Sequence, residues 1–240
     1  MNVIEKNLAR CSQLDQTAPG ERNLLTPDIL FLSGENNLNI IRNFYELGYK
    51  AIEHPCCMIM ANETDMAAEH WSEIRQFSNA NGLPIIHGTN KIQVLKRQVG
   101  LLEGKVIAGV DDRVDELGAL GSIPIKISPV GMAQCLATGK MQMTIPESIY
   151  VELSGRFKGC ADVDAICDYL RGYFNDSLAG WGIILGGEGI NQLDERERVS
   201  LIKQLDELGG TVAIISPSGP LGQVESVVKI KAQHILNQKV

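Results

Sequence analysis

The stretch GKVIAGVDDRVDELGALGSIPIKISPVGMAQCLATGKMQMTIPESIYVELSGRF (residues 104–157) decides how the rest of the chain is interpreted. It predicts a buried strand over Lys105–Val110, an acidic loop at Asp111-Asp112-Arg113, and a helix near Val130–Thr138. Alternating apolar positions predict a second strand over Ser148–Ser154. Carboxylates just past the end of a strand are where many α/β folds place their chemistry. Spacing alone, however, favours two aspartates that cap the following turn.

Composition and charge limit the class of protein. The 240 residues are 44% hydrophobic and 21% charged, which is ordinary for a globular protein. The formal net charge of −7 argues against nucleic acid or an anionic membrane as the main partner. The start MNVIEKNLARCSQ has no apolar core of signal-peptide length, and no apolar run reaches the roughly 18 residues of a membrane span. We therefore expect a cytoplasmic protein.

Six cysteines occur, and none belongs to a Cys-x-x-Cys pair: Cys11, Cys56, Cys57, Cys135, Cys160 and Cys167. Cys56 and Cys57 are neighbours in a predicted strand, so their side chains should point to opposite faces and could not easily share one ion. Cys167 falls on the apolar face of a predicted helix. The pattern predicts reduced, mostly buried thiols and no metal site.

Strand and helix patterns alternate along the whole chain. Sustained alternation predicts an α/β fold with largely parallel sheets flanked by helices. The last predicted element is a helix over Val224–Gln238. A weak boundary near Met141–Pro146 divides the chain into two expected lobes, 1–145 and 146–240, between which the chain can cross.

Residues 104–157 also resemble the aconitase family, and in particular its 3-isopropylmalate dehydratase large subunits. In those proteins a strand ends in Gly-x-Asp-Ser-His-Thr, small glycines follow, a helix ends in Leu-Ala-Thr-Gly, and Pro-Glu-Ser/Thr-Ile-x-Val-x-Leu-x-Gly comes next. Here the same order reads GVDDRV, GALG, CLATGK and IPESIYVELSG. Further similarity at ILGGEGI (184–190) and ERVSLIKQLDELGG (197–210) extends the resemblance over nearly the whole chain. It corresponds to about the first half of a family large subunit.

The resemblance implies an aconitase-like fold of two α/β lobes. Hydro-lyases of this family hold an iron–sulfur cluster on three cysteines, two from a Cys-x-x-Cys pair and one from a Gly-Ser-Cys-Thr-Asn loop. This sequence contains neither motif. We therefore expect no cluster built by this chain alone, and no other cofactor.

The acid–base residues of the family are only partly matched. Asp111 keeps the aspartate of Asp-Ser-His, whereas Asp112 and Arg113 replace the serine and the histidine. An earlier Asp-His pair and a third histidine align with residues that have no imidazole, namely Ala61, Asn62 and Ile92; His87 matches the third only if a gap is allowed. Imidazoles suited to proton transfer near neutral pH are thus lost. The other histidines, His54, His70 and His234, are expected to be packed or solvated.

Several polar residues elsewhere remain candidate ligand-binding groups. Four of them keep the residue type of the family: Gln98, Glu188, Arg198 and Glu207. Lys203 replaces a family asparagine, and together with Arg113 it could hold a dicarboxylate. Asp111, Arg198 and Glu207 are equally suited to structural roles such as a helix cap or a surface ion pair.

Two glycine-bearing loops lie between a predicted strand and a helix. The first, GGEG (186–189), would expose backbone N–H groups, although Glu188 would itself repel an anion. The second is Ser216-Pro-Ser-Gly (216–219), whose Ser216 and Ser218 hydroxyls could bind a carboxylate or a phosphate. For each loop an ordinary turn with helix capping is the favoured alternative.

The sequence supports two main functional hypotheses. The first is a binding or regulatory protein for a small di- or tricarboxylate that has kept the aconitase framework without its cluster. The second is an enzyme: one subunit of a split hydro-lyase or isomerase, or a cluster-independent lyase that uses Asp111, Asp112 and Arg113 as catalytic residues on a 2-hydroxy polycarboxylate. A pure oligomerisation scaffold is a third option. The expected partners are a small carboxylate ligand and either a second subunit or further copies of the chain.

Overall fold

The computed structural model describes residues 1–33, 36–88, 90–111, 114–157, 160–174 and 178–232. Seven α-helices occur in these ranges: α1 Val3–Cys11, α2 Asn36–Glu46, α3 Ala68–Asn81, α4 Lys91–Val99, α5 Pro129–Thr138, α6 Cys160–Tyr173 and α7 Glu195–Glu207. The described strands are β1 Arg22–Leu25, β2 Ile29–Ser33, β3 Cys57–Met60, β4 Ile85–Ile86, β5 Val106–Gly109, β6 Ile123–Lys126, β7 Met141–Thr144, β8 Glu147–Ser154, β9 Trp181–Gly186, β10 Val212–Ile215 and β11 Ser226–Lys231. None of the helices described is long and apolar enough to cross a membrane.

The first sheet has five parallel strands in the order β4-β3-β2-β5-β6. All five residues of β2 are buried, as expected for a central strand with both faces covered. Leu30 and Leu32 pack on one face with helices α2, α3 and α5, whereas Phe31 packs on the other face with α4. Cys57 lies in the first of these clusters and Cys56 borders the second, which confirms that the two thiols point to opposite faces.

The second sheet has four parallel strands in the order β10-β9-β8-β11. Its inward residues, such as Ile149, Val151 and Leu185, form a large apolar cluster with α6 and α7. Strands β1 and β7 form a separate antiparallel ribbon. The predicted α/β class with largely parallel sheets is therefore confirmed. The division into lobes 1–145 and 146–240 stays a prediction.

A short 3₁₀ segment, Asp115–Leu120, joins the two sheets. It packs against β10, the edge strand of the second sheet, and against α7. The main chain at Gly118 lies so close to β10 that a Cβ atom there would overlap the carbonyl oxygen of Ala213. Only glycine permits this approach, and the segment covers an edge that would otherwise expose unpaired backbone groups.

The predicted helix over Val224–Gln238 is wrong. The chain forms strand β11 there, and residues 233–240 lie outside the described part of the structure. Val228 and Ile230 are buried while Val227 and Lys229 are exposed, so the side chains alternate with the period of a strand. Parallel pairing with β8 and burial against α6 outweigh the helical interpretation of this segment.

The substitution Gly118→Ala tests the contact between the two sheets. We expect it to lower the free energy of unfolding by about 3 kcal/mol or more, because the added methyl group meets a fixed backbone carbonyl. Gly172→Ala is the matched control: Gly172 lies in α6 with open space around its Cα atom, and alanine there should be stabilising by roughly 0.5–1 kcal/mol. Urea unfolding followed by circular dichroism measures both. Equal stability of the two variants would contradict the contact.

Candidate functional site

The carboxyl ends of β2 and β5 lie side by side at the point where the strand order of the first sheet reverses. After β2 the chain passes through α2 to β3 on one side, and β5 pairs with β2 on the other side. The connection after β2 runs over one face of the sheet, and Val114 and Leu117, which follow β5, pack on the opposite face. The two connections therefore diverge and leave a crevice, which is the usual ligand site of an open parallel sheet. We call it the β2–β5 crevice.

The opposite, amino ends of the same two strands are held together by Asp28. Its carboxylate accepts two hydrogen bonds from the guanidinium of Arg10, at 2.8 and 2.6 Å, and one from the amide of Val106 at 2.8 Å. Burial alone would raise the pKa of Asp28, but these hydrogen bonds outweigh it and hold the pKa below its usual value. The strands are thus fixed at one end and separate at the other, where the crevice opens.

A buried asparagine at the crevice has an unsatisfied oxygen. Asn37, in the first turn of α2, is 1% exposed, and its Nδ2 donates a hydrogen bond to the carbonyl oxygen of Met60 at 3.2 Å. No described residue donates to Asn37 Oδ1. Leaving such an acceptor unpaired costs roughly 1–3 kcal/mol, so the oxygen marks a place for a ligand hydroxyl or a bound water. No sequence pattern marks Asn37 as a ligand-binding group, because the burial of a polar residue leaves no local pattern.

The predicted catalytic loop begins at this crevice. Asp111 is half-buried just past the end of β5, and its carbonyl oxygen accepts a hydrogen bond from the amide of Val114 at 3.0 Å. Asp112 and Arg113 lie outside the described residues.

The residues aligned with the family histidines have structural contacts. Asn62 Oδ1 accepts a hydrogen bond from the amide of Gly88 at 3.0 Å, and Asn62 Nδ2 donates to Asp65 Oδ2 at 2.8 Å. Asn62 thus ties the segments that follow β3 and β4. His87 lies beside Trp71, with ring centroids 6.0 Å apart. An amide at Asn62 does not exchange protons near neutral pH as an imidazole does, so this edge of the sheet is suited to binding rather than to proton transfer.

Helix α7 lies alongside the segment that follows Asp111. Its Val199 packs in the same apolar cluster as Val114, and Lys203 Nζ is 3.9 Å from Glu116 Oε1. Arg198 Nε donates a hydrogen bond to the carbonyl oxygen of Leu193 at 3.0 Å. The structure therefore places Lys203 beside the segment that follows the predicted catalytic loop, in an ion pair with the largely buried Glu116. Two further candidates, Gln98 and Glu207, are exposed on α4 and α7.

The remaining candidates lie at the carboxyl edge of the second sheet. Glu188 is exposed, and its Oε1 accepts a hydrogen bond from the amide of Gly155 at 3.2 Å. Ser216 is buried, and its hydroxyl donates to the carbonyl oxygen of Gly219 at 2.6 Å, while Ser218 is exposed. The contacts of Glu188 and Ser216 fasten the loops in which they lie.

An open cleft of about 630 Å³ lies elsewhere on the molecule. It runs between one side of α5, at Gln134 and Thr138, and the β1–β7 ribbon, at Leu24 and Gln142. Lys140 is the one charged residue in its lining. A cleft with so few ionisable groups has little to offer chemically, and the β2–β5 crevice remains the better candidate.

The described thiols do not fit an iron–sulfur cluster. Burial raises the pKa of Cys11 to about 11 and the pKa values of Cys57, Cys135 and Cys167 to about 12, and it also raises the pKa of Cys56. Cys57 and Cys135 share one apolar cluster, whereas Cys11 and Cys167 lie in two others. The ligands of an iron–sulfur cluster are instead thiolates that converge on one site. Within the described ranges no three or more His, Cys, Asp or Glu side chains are placed to hold a metal ion.

Comparison with known proteins gives a consistent answer, although no family model matches the chain. It is 23% identical over 227 residues to a probable 3-isopropylmalate dehydratase large subunit of Methanothermobacter thermautotrophicus. It is 25% identical over 228 residues to 3-isopropylmalate dehydratase large subunit 1 of Pyrococcus furiosus. A probable methanogen homoaconitase large subunit of M. thermautotrophicus is 25% identical over 232 residues. These alignments cover 90–91% of this chain but 54% of each relative.

The fold is similar to that of a solved structure, Thermococcus kodakaraensis aconitase X. The TM-score is 0.52 at 10% sequence identity, and the match covers 98% of this chain and 64% of the other. The chain spans about half the length of the curated relatives that it matches. Its sequence and its fold thus agree with the resemblance carried by residues 104–157: the chain is similar in sequence to 3-isopropylmalate dehydratase large subunits and has an aconitase-like fold.

Proposed function

We propose that this chain is a binding or regulatory protein for a small di- or tricarboxylate, which it holds in the β2–β5 crevice without an iron–sulfur cluster. The observation that carries the proposal is the state of the thiols. Cys11, Cys167 and the pair Cys57 and Cys135 are buried in three different apolar clusters of an aconitase-like framework, where burial favours their protonated form. The framework is kept, but the described thiols are suited to packing rather than to ligation.

The crevice provides acceptors for the hydroxyl group of a 2-hydroxy acid. Asn37 Oδ1 has no donor among the described residues, and Asp111 begins the loop on the other side of the crevice. Asn37 Oδ1 can accept the one hydrogen bond that a ligand hydroxyl donates, and this oxygen and the Asp111 carboxylate both carry partial or full negative charge. They would repel a carboxylate, so the acid groups of the ligand need cations from elsewhere.

Arg113 is the best candidate for such a cation. A guanidinium binds a carboxylate with two parallel hydrogen bonds and stays charged at every relevant pH. Lys203 is the second candidate, but its ion pair with Glu116 would have to open before it reached a ligand. In this proposal Arg113 contributes most of the affinity for the ligand carboxylates, and Lys203 contributes less.

The alternative is a subunit of a split hydro-lyase or isomerase. One observation favours it: the chain matches about half of large subunits that are named as dehydratases. In this alternative a second polypeptide supplies the cluster and the missing proton-transfer groups. Added 2-isopropylmalate would then be dehydrated by the two proteins together and by neither alone.

A thermal-shift screen with citrate, 3-isopropylmalate, malate and inorganic phosphate tests the binding proposal. A ligand at 100 times its Kd stabilises the folded state by about 2.7 kcal/mol, which raises the Tm of a chain of this size by about 5–10 °C. We expect a shift of this order with at least one hydroxy acid. Asp111→Asn and Arg113→Gln should reduce it by more than half, because each removes a group assigned to the ligand.

The matched controls are Asp15→Asn and Arg156→Gln, which change the same residue types at exposed positions away from the crevice. Both should keep the full shift. Loss of the shift in the controls as well, or a shift with phosphate only, would contradict a hydroxy-acid site at the crevice.

Thiol reactivity tests the packing assigned to the cysteines. Native protein treated with iodoacetamide at pH 8 should be alkylated more than tenfold faster at Cys56, which is half-buried, than at Cys57, Cys135 or Cys167, whose pKa values burial raises to about 12. Peptide mass spectrometry measures the rates, and protein unfolded in urea is the control in which they converge. Rapid native alkylation of Cys57 and Cys135 would argue against buried, protonated thiols.

A further inference from the structure

Part of the second sheet has an uncovered face. Parallel sheets are almost always buried on both faces. In this sheet the register of β8 with β11 places three residue pairs on one face: Tyr150 with Val227, Glu152 with Lys229, and Ser154 with Lys231. All three β11 residues of this set are exposed, and their β8 partners are only half-buried. We call this surface the β8–β11 face.

The rest of the second sheet is buried on both faces. On the same face, Ile184 of β9 and Ile214 of β10 are buried against Ile4 and Leu8 of α1. The opposite face is buried throughout under α6 and α7. The apolar cluster with α1 that covers this face of the sheet therefore ends at Tyr150. Among the described residues, nothing covers the β8–β11 face.

The chemistry of the face is apolar at one end and basic at the other. Val227 is 48% exposed next to the ring of Tyr150. Lys229 Nζ is 3.2 Å from Glu152 Oε2, so that charge is balanced on the face itself. Lys231 makes no ion pair with another described residue. A complementary surface needs an apolar strip beside Val227 and a carboxylate opposite Lys231.

The length and width of the β8–β11 face indicate what kind of partner fits it. The six residues of β11 span about 20 Å, and two neighbouring strands are about 10 Å wide. That area is far below the roughly 800 Å² that each partner buries in a stable dimer. It matches a single α-helix, which is about 10 Å across and covers 20 Å in about 13 residues.

We propose that the β8–β11 face is the docking site of one amphipathic helix of a partner polypeptide, with an apolar stripe on Val227 and Tyr150 and an acidic residue paired with Lys231. Such a helix completes the second sheet as α6 and α7 complete its other face. The alignments cover 54% of each of these relatives, so such proteins contain further chain beyond the matched region. The proposal does not depend on the ligand assigned to the β2–β5 crevice.

The probe is a synthetic 14-residue helical peptide with leucines at helical spacing and glutamates beside them, labelled for fluorescence anisotropy. The full chain should bind it at least tenfold more tightly than a peptide of the same composition in scrambled order. Val227→Glu and Lys231→Glu should each weaken binding about tenfold. Val227→Thr keeps the β-branched shape and the fold, and it should weaken peptide binding about threefold. A peptide with lysine for glutamate should regain affinity for Lys231→Glu.

The controls are Val130→Glu and Lys140→Glu, which alter an exposed valine and an exposed lysine outside the second sheet. Neither should change binding. Equal affinity for the scrambled peptide, or equal losses in the controls, would overturn the proposal. Sedimentation that shows a dimer dissociated by Val227→Glu would also overturn it, since the face would then bind a second copy of the chain.

Discussion

The contact between Gly118 and the carbonyl oxygen of Ala213 sets the geometry of the whole molecule. It lets the 3₁₀ segment Asp115–Leu120 lie directly on the edge strand of the second sheet. That segment is also the continuation of the loop that starts at Asp111. The same contact therefore joins the two sheets and protects a strand edge, and Lys203 of α7 lies 3.9 Å from Glu116 of this segment.

Strands β2 and β5 of the first sheet are held together at their amino ends, and the candidate site lies at their carboxyl ends. Asp28 ties α1 to the amino ends of β2 and β5 with charge-assisted hydrogen bonds. At the carboxyl ends the connections separate, and Asn37 and Asp111 follow the two strands. The aconitase-like fold is thus present, while the amide of Asn62 stands where the resemblance places a histidine.

Much of the fold could be predicted from local patterns. Helix α7, for example, begins after an N-cap at Asp194 that Glu197 completes as a capping box, and this signal is local because it depends on residues three apart. The strand nature of residues 226–231 was missed since its cause is non-local: pairing with β8 and burial against α6. The importance of Asn37 was missed for the same reason. Its burial comes from strands and helices far along the chain, whereas Asp111 could be found from the motif around it.

The central claim is that this chain has an aconitase-like framework but holds no iron–sulfur cluster. The most direct measurement is the iron and acid-labile sulfide content of the full chain, purified anaerobically, together with its visible absorption. The account predicts far less than one iron per chain and no broad absorption near 400 nm. Stoichiometric iron and sulfide, with that absorption bleached by a chelator and an oxidant, would contradict it.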